Sequence, residues 1–219
     1  GAALNHEVEK CLKQIKFPYC VGYGMTECGP LLAYSRWDLF KQRSCGRVVD
    51  RMQLTIDSLE PTKQVGEILV KGDNMLLGYY KNPEATQAIF TSDGWMRTGD
   101  LGYMDKKKNI FIKGRSKTMI LGASGQNIYP EEIEDKLNNQ EAVGESLVIE
   151  REGKLIALVF PDETLTQKMT LEDIERIMKA NLEKLNNLIP SYSKISNIEV
   201  QDKPFEKTPK KSIKRFLYK

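Results

Sequence analysis

The chain has 219 residues, 40% of them hydrophobic, enough for one sizeable core or two modest ones. Its formal net charge of +3 is too small to point to nucleic acid or an anionic membrane. No apolar run approaches the roughly 20 residues of a membrane span, the start does not read as a signal peptide, and Cys11, Cys20, Cys28 and Cys45 form no Cys-x-x-Cys pair; with His6 as the single histidine, they suit buried thiols in a reducing, cytoplasmic setting better than a metal site or disulfide framework.

Asn5 to about Ile15 reads as a helix capped by Asn5, with Val8, Leu12 and Ile15 at helical spacing. Tyr19 to Tyr23 is a short apolar run entering a Gly turn, and it predicts a strand end. Gln53–Asp57 alternates and pairs naturally with Gly66–Val70 across a Pro-containing turn. Asn82 can cap a short helix with Pro83 at its first position, and Ala85, Ile89 and Phe90 share its apolar face. Ser92-Asp93-Gly94 is a turn, and Leu101–Met104 and Ile110–Ile112 form a hairpin around Asp105–Asn109.

A second block begins near Gly114. Met119–Leu121 reads as a strand, and Pro130 opens a helix whose Glu131, Glu132 and Glu134 suit the positive end of its dipole. Val143–Ile149 and Leu155–Phe160 are strands around the turn Arg151-Glu152-Gly153. Thr170 and Asp173 form a capping-box pattern ahead of Leu171, Ile174, Met178, Leu182 and Leu185, which step at helical intervals. Ile195–Val200 is a last strand. The order β-α-β-β-α-β predicts a small α+β layer with helices packed on one sheet.

Three short segments carry the chemistry: Tyr23-Gly24-Met25-Thr26-Glu27, Arg97-Thr98-Gly99-Asp100 and Gly114-Arg115-Ser116-Lys117. Taken singly, each is an ordinary polar turn. In this order, and followed by Gly125, Ile128 and Pro130-Glu131-Glu132-Ile133-Glu134, the set resembles the adenylate-forming enzymes: acyl-CoA synthetases, luciferases and peptide-synthetase adenylation domains. Gly72 to Tyr80, Trp95 to Leu101 and Gly125 to Glu134 are most similar to the long-chain fatty acyl-CoA ligases. The resemblance implies an α+β chain holding the end of a large AMP-binding domain, a small β-rich subdomain over residues 1–113, and then a small mobile C-terminal domain over residues 114–219.

It also implies the site. Tyr23 would stack on adenine, with Gly24 allowing close backbone approach. Thr26 would hydrogen-bond a phosphate and Glu27 would hold Mg²⁺. Asp100 would accept the two ribose hydroxyls and Arg115 would add a cationic contact to the nucleotide. Lys117 sits where such enzymes place the pivot of the small domain. Gly122-Ala123-Ser124-Gly125 would line the passage for the pantetheine arm of coenzyme A; read without the family, it is a loop between Leu121 and Ile128.

The tail departs from the family pattern Lys-Thr-x-x-Gly-Lys. This chain reads Lys207-Thr208-Pro209-Lys210-Lys211-Ser212-Ile213-Lys214-Arg215, which sets Ser212 at the catalytic lysine and Lys211 at the glycine. Either a neighbouring lysine, Lys211 and then Lys214, supplies the missing charge by repositioning of a mobile tail, or adenylation is impaired. The plain alternative is a solvated basic tail, with seven Lys or Arg between 203 and 219 against Glu206.

The family's Ser/Thr/Gly-rich phosphate loop has no counterpart here, so the chain is read as a C-terminal fragment, expected not to form acyl-adenylate by itself. The favoured function is AMP-forming ligation of a long-chain fatty acid to CoA at the expense of ATP, with small-molecule substrates, no nucleic acid and membrane association compatible with a lipid substrate. Adenylation of another carboxylate or acyl transfer to a carrier protein stays open, as does a noncatalytic nucleotide-binding module.

Overall fold

The computed structural model describes residues 4–122, 124–209 and 211–218. The chain forms two compact units, Leu4–Lys117 and Thr118 to the C-terminus. The boundary is visible in the hydrogen bonds. Ser116 donates its amide to Gly99 O at 2.9 Å within the first unit, whereas Thr118 Oγ1 donates to Glu131 Oε1 at 2.6 Å within the second. Lys117 lies between these anchors.

In the first unit, α1 (His6–Gln14) starts at Asn5, whose side chain accepts from Glu7 N and Val8 N. Its expected apolar stripe stays largely exposed: Val8 and Ile15 face solvent, and the buried residue is Glu9, which accepts the Arg43 amide at 2.8 Å. The expected strand over Tyr19–Tyr23 shrinks to β1 (Tyr23–Gly24), which joins β2 (Leu31–Tyr34) and β3 (Arg47–Val48) in a three-stranded antiparallel sheet.

A second sheet has the order β4 (Met52–Asp57), β5 (Gly66–Gly72), β6 (Met96–Met104), β7 (Ile110–Arg115), antiparallel throughout. Helix α2 (Pro83–Ile89) is capped by Asn82, as the sequence indicates. The core joins Tyr23, Cys28 and Leu32 to Ile56, Ile68, Val70, Met96 and Ile110, with Ile89 and Phe90 packed against it.

In the second unit, β8 (Ile120–Leu121) and β9 (Asn127–Ile128) make a small hairpin before α3 (Pro130–Leu137). Strands β10 (Val143–Arg151) and β11 (Lys154–Pro161) pair antiparallel, and β12 (Asn197–Val200) adds parallel to β11. Between them lie the short α4 (Glu163–Thr166) and the long α5 (Leu171–Leu188), whose Thr170–Asp173 capping box forms in full. Apolar residues of α3 and α5, including Ile133, Leu137, Met178 and Leu185, pack on Val148, Ala157 and Val159.

The remaining sheet face is covered by the C-terminal segment. Phe205 is buried on Leu147, Ile149 and Leu158, and Ile213 and Tyr218 pack beside it. Phe205 and Tyr218 meet edge to face at 5.1 Å, and the Tyr218 hydroxyl accepts the Glu206 amide at 2.8 Å. The basic stretch is therefore anchored through Phe205, Ile213 and Tyr218, while Lys203, Lys207 and Lys211 stay exposed, as the reading of a solvated run expects. Three aromatic and aliphatic side chains outweigh its charge, and the charge is matched locally: Lys207 pairs with Glu145, and Arg215 with Glu134.

Candidate nucleotide site

The Thr98-Gly99-Asp100 segment lies inside β6 and not at a strand end. Leu69 faces Arg97 and Glu67 faces Leu101, so three residues of β6 bulge opposite Ile68. Each contributes to the bulge. Thr98 Oγ1 donates to Ile68 O at 2.8 Å and accepts the Asp100 amide at 3.1 Å, replacing ladder bonds the bulge breaks. Gly99 has φ +71°, a backbone region that disfavours a side chain, and its amide is held by Glu67 Oε1. The Asp100 carboxylate is thereby turned into the unit, where it is buried.

There it meets the other motifs. Tyr23 Oη donates to Asp100 Oδ2 at 2.8 Å, and Arg115, directly opposite Asp100 on β7, brings Nε to within 3.1 Å of Oδ1. Burial first, then the neighbouring Asp100 charge, pushes the Tyr23 phenol far above its ordinary range, so it remains a neutral donor. The Arg115 side chain is largely exposed and the Asp100 side chain is not. The result is a buried carboxylate held between a neutral phenol and an exposed guanidinium.

Thr26 and Glu27 follow Tyr23 on a one-turn 3₁₀ helix (Thr26–Cys28), ended by Gly29 in the left-handed region. Gly24 is required by its own chain: a Cβ there would lie 1.9 Å from Pro30 O. The crowding comes from the hairpin closing back on β1, a physical reason for glycine that the sequence reading assigned to the nucleotide. Sequence reasoning singled out Gly72 to Tyr80 by resemblance but assigned it no role; the structure shows that it braces this turn. Leu76 N donates to Glu27 O at 2.7 Å, Asn74 Nδ2 donates to Cys28 O at 2.6 Å, and the Tyr79 hydroxyl donates to Glu27 Oε1 at 3.0 Å. Contacts so far apart in sequence leave no local periodic signal. Cys28 is buried, and burial followed by the Glu27 charge raises its thiol to about 11, which keeps it out of thiolate chemistry.

Among the described residues, no three His, Cys, Asp or Glu side chains converge to hold a metal. Glu27 is one half-buried carboxylate beside an exposed Thr26 hydroxyl. That donor set fits Mg²⁺, which keeps several waters and binds through one or two carboxylates plus phosphate oxygens.

The remaining candidates belong to the second unit. Gly125, with φ +80°, closes the β8–β9 hairpin by donating to Gly122 O at 2.8 Å, and a Cβ there would meet nothing within 4 Å. Ala123 of that loop lies outside the described residues. Lys211 is exposed, with φ +61°, in a turn where its amide donates to Thr208 O and Thr208 N donates to Ser212 O, both at 2.8 Å. Lys214 Nζ is held by Glu206 Oε2 at 3.2 Å.

The family model described as AMP-binding enzyme matches residues 1–80, and that described as AMP-binding enzyme C-terminal domain matches residues 117–218. The chain belongs to the AMP-binding, adenylate-forming enzymes. It is 38% identical over 157 residues to a long-chain-fatty-acid–CoA ligase of Haemophilus influenzae, covering 67% of this chain and 28% of that protein. It is 32% identical over 191 residues to 4-coumarate–CoA ligase 3 of Arabidopsis thaliana, covering 80% of this chain and 34% of that protein. The chain thus spans about a third of the length of these relatives. Its fold matches O-succinylbenzoate coenzyme A synthetase from Bacillus subtilis in complex with AMP, with a TM-score of 0.80 at 24% identity, over 100% of this chain and 44% of that one.

Proposed function

We propose that this chain supplies the ribose- and metal-binding edge, and the small C-terminal domain, of an AMP-forming acid–thiol ligase. The enzyme joins a long-chain fatty acid to CoA through an acyl-adenylate, releasing pyrophosphate and then AMP. The observation that carries this reading is the Tyr23–Asp100–Arg115 constellation within one unit. In this reading Asp100 accepts the ribose hydroxyls, Arg115 neutralises nucleotide charge, Tyr23 flanks adenine, and Thr26 contacts phosphate. Glu27 holds Mg²⁺, which when bound shields the phosphates during displacement. Lys117, between the last anchor of one unit and the first of the next, is the pivot; Gly125 belongs to the pantetheine passage, and Lys211 or Lys214 provides the tail cation. The 219 residues alone do not form acyl-adenylate. The same reading sets the protein in the cytoplasm; of its cysteines Cys28 is buried and Cys45 half-buried, whereas Cys11 and Cys20 are exposed, against the expectation of buried thiols.

A second reading, adenylation of an aromatic acid, is favoured by the comparable identity to 4-coumarate–CoA ligases. The test is full-length enzyme assayed for pyrophosphate release and acyl-CoA with ATP, CoA, long-chain fatty acids and 4-coumarate. The proposal expects the highest kcat/KM with the long-chain acids. Preference for 4-coumarate selects the second reading, and nucleotide binding without turnover of any acid reduces the protein to a noncatalytic module.

A further inference from the structure

We infer that Tyr79 is a positioning residue for the Glu27 carboxylate and thereby sets the affinity of the divalent cation–nucleotide complex; this rests on the reading of Glu27 as the metal-holding carboxylate. The Tyr79 amide donates to Thr86 Oγ1 at 2.8 Å, and that hydroxyl donates in turn to Asn82 O at 2.9 Å. Asn82 N donates back to Tyr79 O at 3.1 Å, and the Asn82 side chain caps α2 through Ala85 N at 3.0 Å. Tyr79 is thus pinned to the first turn of a helix, although its side chain reaches outward across 52 sequence positions to Glu27.

On the other side, Glu27 stands on a one-turn helix, which by itself restrains a long carboxylate side chain weakly. Its backbone is clamped by Leu76 N, and its carboxylate is clamped by the Tyr79 hydroxyl at Oε1. Donation to Oε1 restrains the carboxylate and leaves Oε2 for the cation, which favours one-oxygen ligation. Without the phenol the carboxylate rotates among rotamers, and part of its binding energy is spent on ordering it.

The experiment uses the full-length enzyme with Tyr79→Phe, Glu27→Gln and the double substitution. Two readouts are taken: Mn²⁺ affinity in the presence of a non-hydrolysable ATP analogue, followed by electron paramagnetic resonance, and the Mg²⁺ concentration for half-maximal adenylation. Tyr79→Phe is expected to weaken cation binding by about 10-fold, within the range for outer partners of metal ligands, with a smaller change in kcat at saturating Mg²⁺. In the Glu27→Gln background the same substitution is expected to change nothing further. Thr86→Val, which frees the Tyr79 amide without touching the phenol, is expected to shift affinity in the same direction by a smaller factor; it serves as the deciding variant if Tyr79→Phe does not fold. Unchanged affinity in Tyr79→Phe, with Glu27→Gln still defective, overturns the inference alone. Unchanged affinity in Glu27→Gln overturns the reading of Glu27 itself.

Discussion

Tyr23 and Asp100, 77 positions apart, meet through one buried hydrogen bond of 2.8 Å, with the phenol donating to Oδ2. The bond ties the end of the first sheet to the bulge of the second, so the two motifs that the sequence presents separately become one object. Tyr23→Phe keeps the ring and removes the donor, leaving a buried carboxylate short of a partner. The expected cost is about 1–3 kcal/mol in urea unfolding, with a raised KM for ATP in the full-length enzyme. A Tyr23→Phe variant with unchanged stability and KM would show that the phenol is not needed to position Asp100.

Gly24 and Gly125 separate two reasons for glycine. A methyl group at Gly24 would lie 1.9 Å from the Pro30 oxygen and 2.9 Å from its carbon, both backbone atoms that cannot step aside cheaply. At Gly125 a methyl meets nothing, and only φ +80° opposes it. Gly24→Ala is therefore expected to lower stability by more than Gly125→Ala, for which the left-handed conformation costs about 1–2 kcal/mol. Thermal melts of the two variants side by side decide; equal losses would show that the hairpin yields to a Cβ at Gly24 at little cost.

The capped helices and the paired strands were legible because their signals are local: Asn5, Asn82 and the Thr170–Asp173 box each act within four residues of themselves. Residues of the candidate site were legible only as motifs, through resemblance. Their physical roles in the fold were not, because the Thr98–Ile68, Tyr23–Asp100 and Tyr79–Glu27 contacts join distant segments. At the C-terminus the charge pattern foretold the exposed lysines but not the apolar anchors Phe205, Ile213 and Tyr218, which are too widely spaced to form a periodic signal.

Glu134 gives the second unit a pH dependence. Burial raises its carboxyl to about 7, against the opposing pull of Arg215 and the Val148 amide; Glu131 adds a repelling charge. The folded state then holds a proton that the unfolded chain releases at an ordinary carboxylate value. The contribution of Glu134 to stability is accordingly greatest below that ordinary value, falls as pH rises from about 4.5 to about 7, and levels off above. Unfolding midpoints across that window are expected to decline in the parent and to lose this slope in Glu134→Gln. A parent whose stability rises with pH there would mean that Arg215 holds the carboxylate ionised throughout.

Lys211 occupies the tail position at which the family pattern has glycine, and its backbone adopts the conformation glycine favours, φ +61°. The turn is closed on both sides, by Lys211 N to Thr208 O and Thr208 N to Ser212 O, which holds Lys211 and Ser212 in place relative to Thr208. Lys214 is restrained by Glu206, whereas Lys211 is exposed and forms no ion pair among the described residues. Three substitutions in the full-length enzyme separate the possibilities. Lys211→Gly is expected to raise stability by about 1–2 kcal/mol, by removing a side chain from a left-handed position, and to lower acid-dependent pyrophosphate release. Ser212→Lys is expected to increase that release, because it returns an ammonium group to the pattern's own position without altering the turn. Lys214→Ala is expected to leave it nearly unchanged. Loss of pyrophosphate release in Lys214→Ala, with Lys211→Gly fully active, would transfer the role to the lysine that Glu206 now holds.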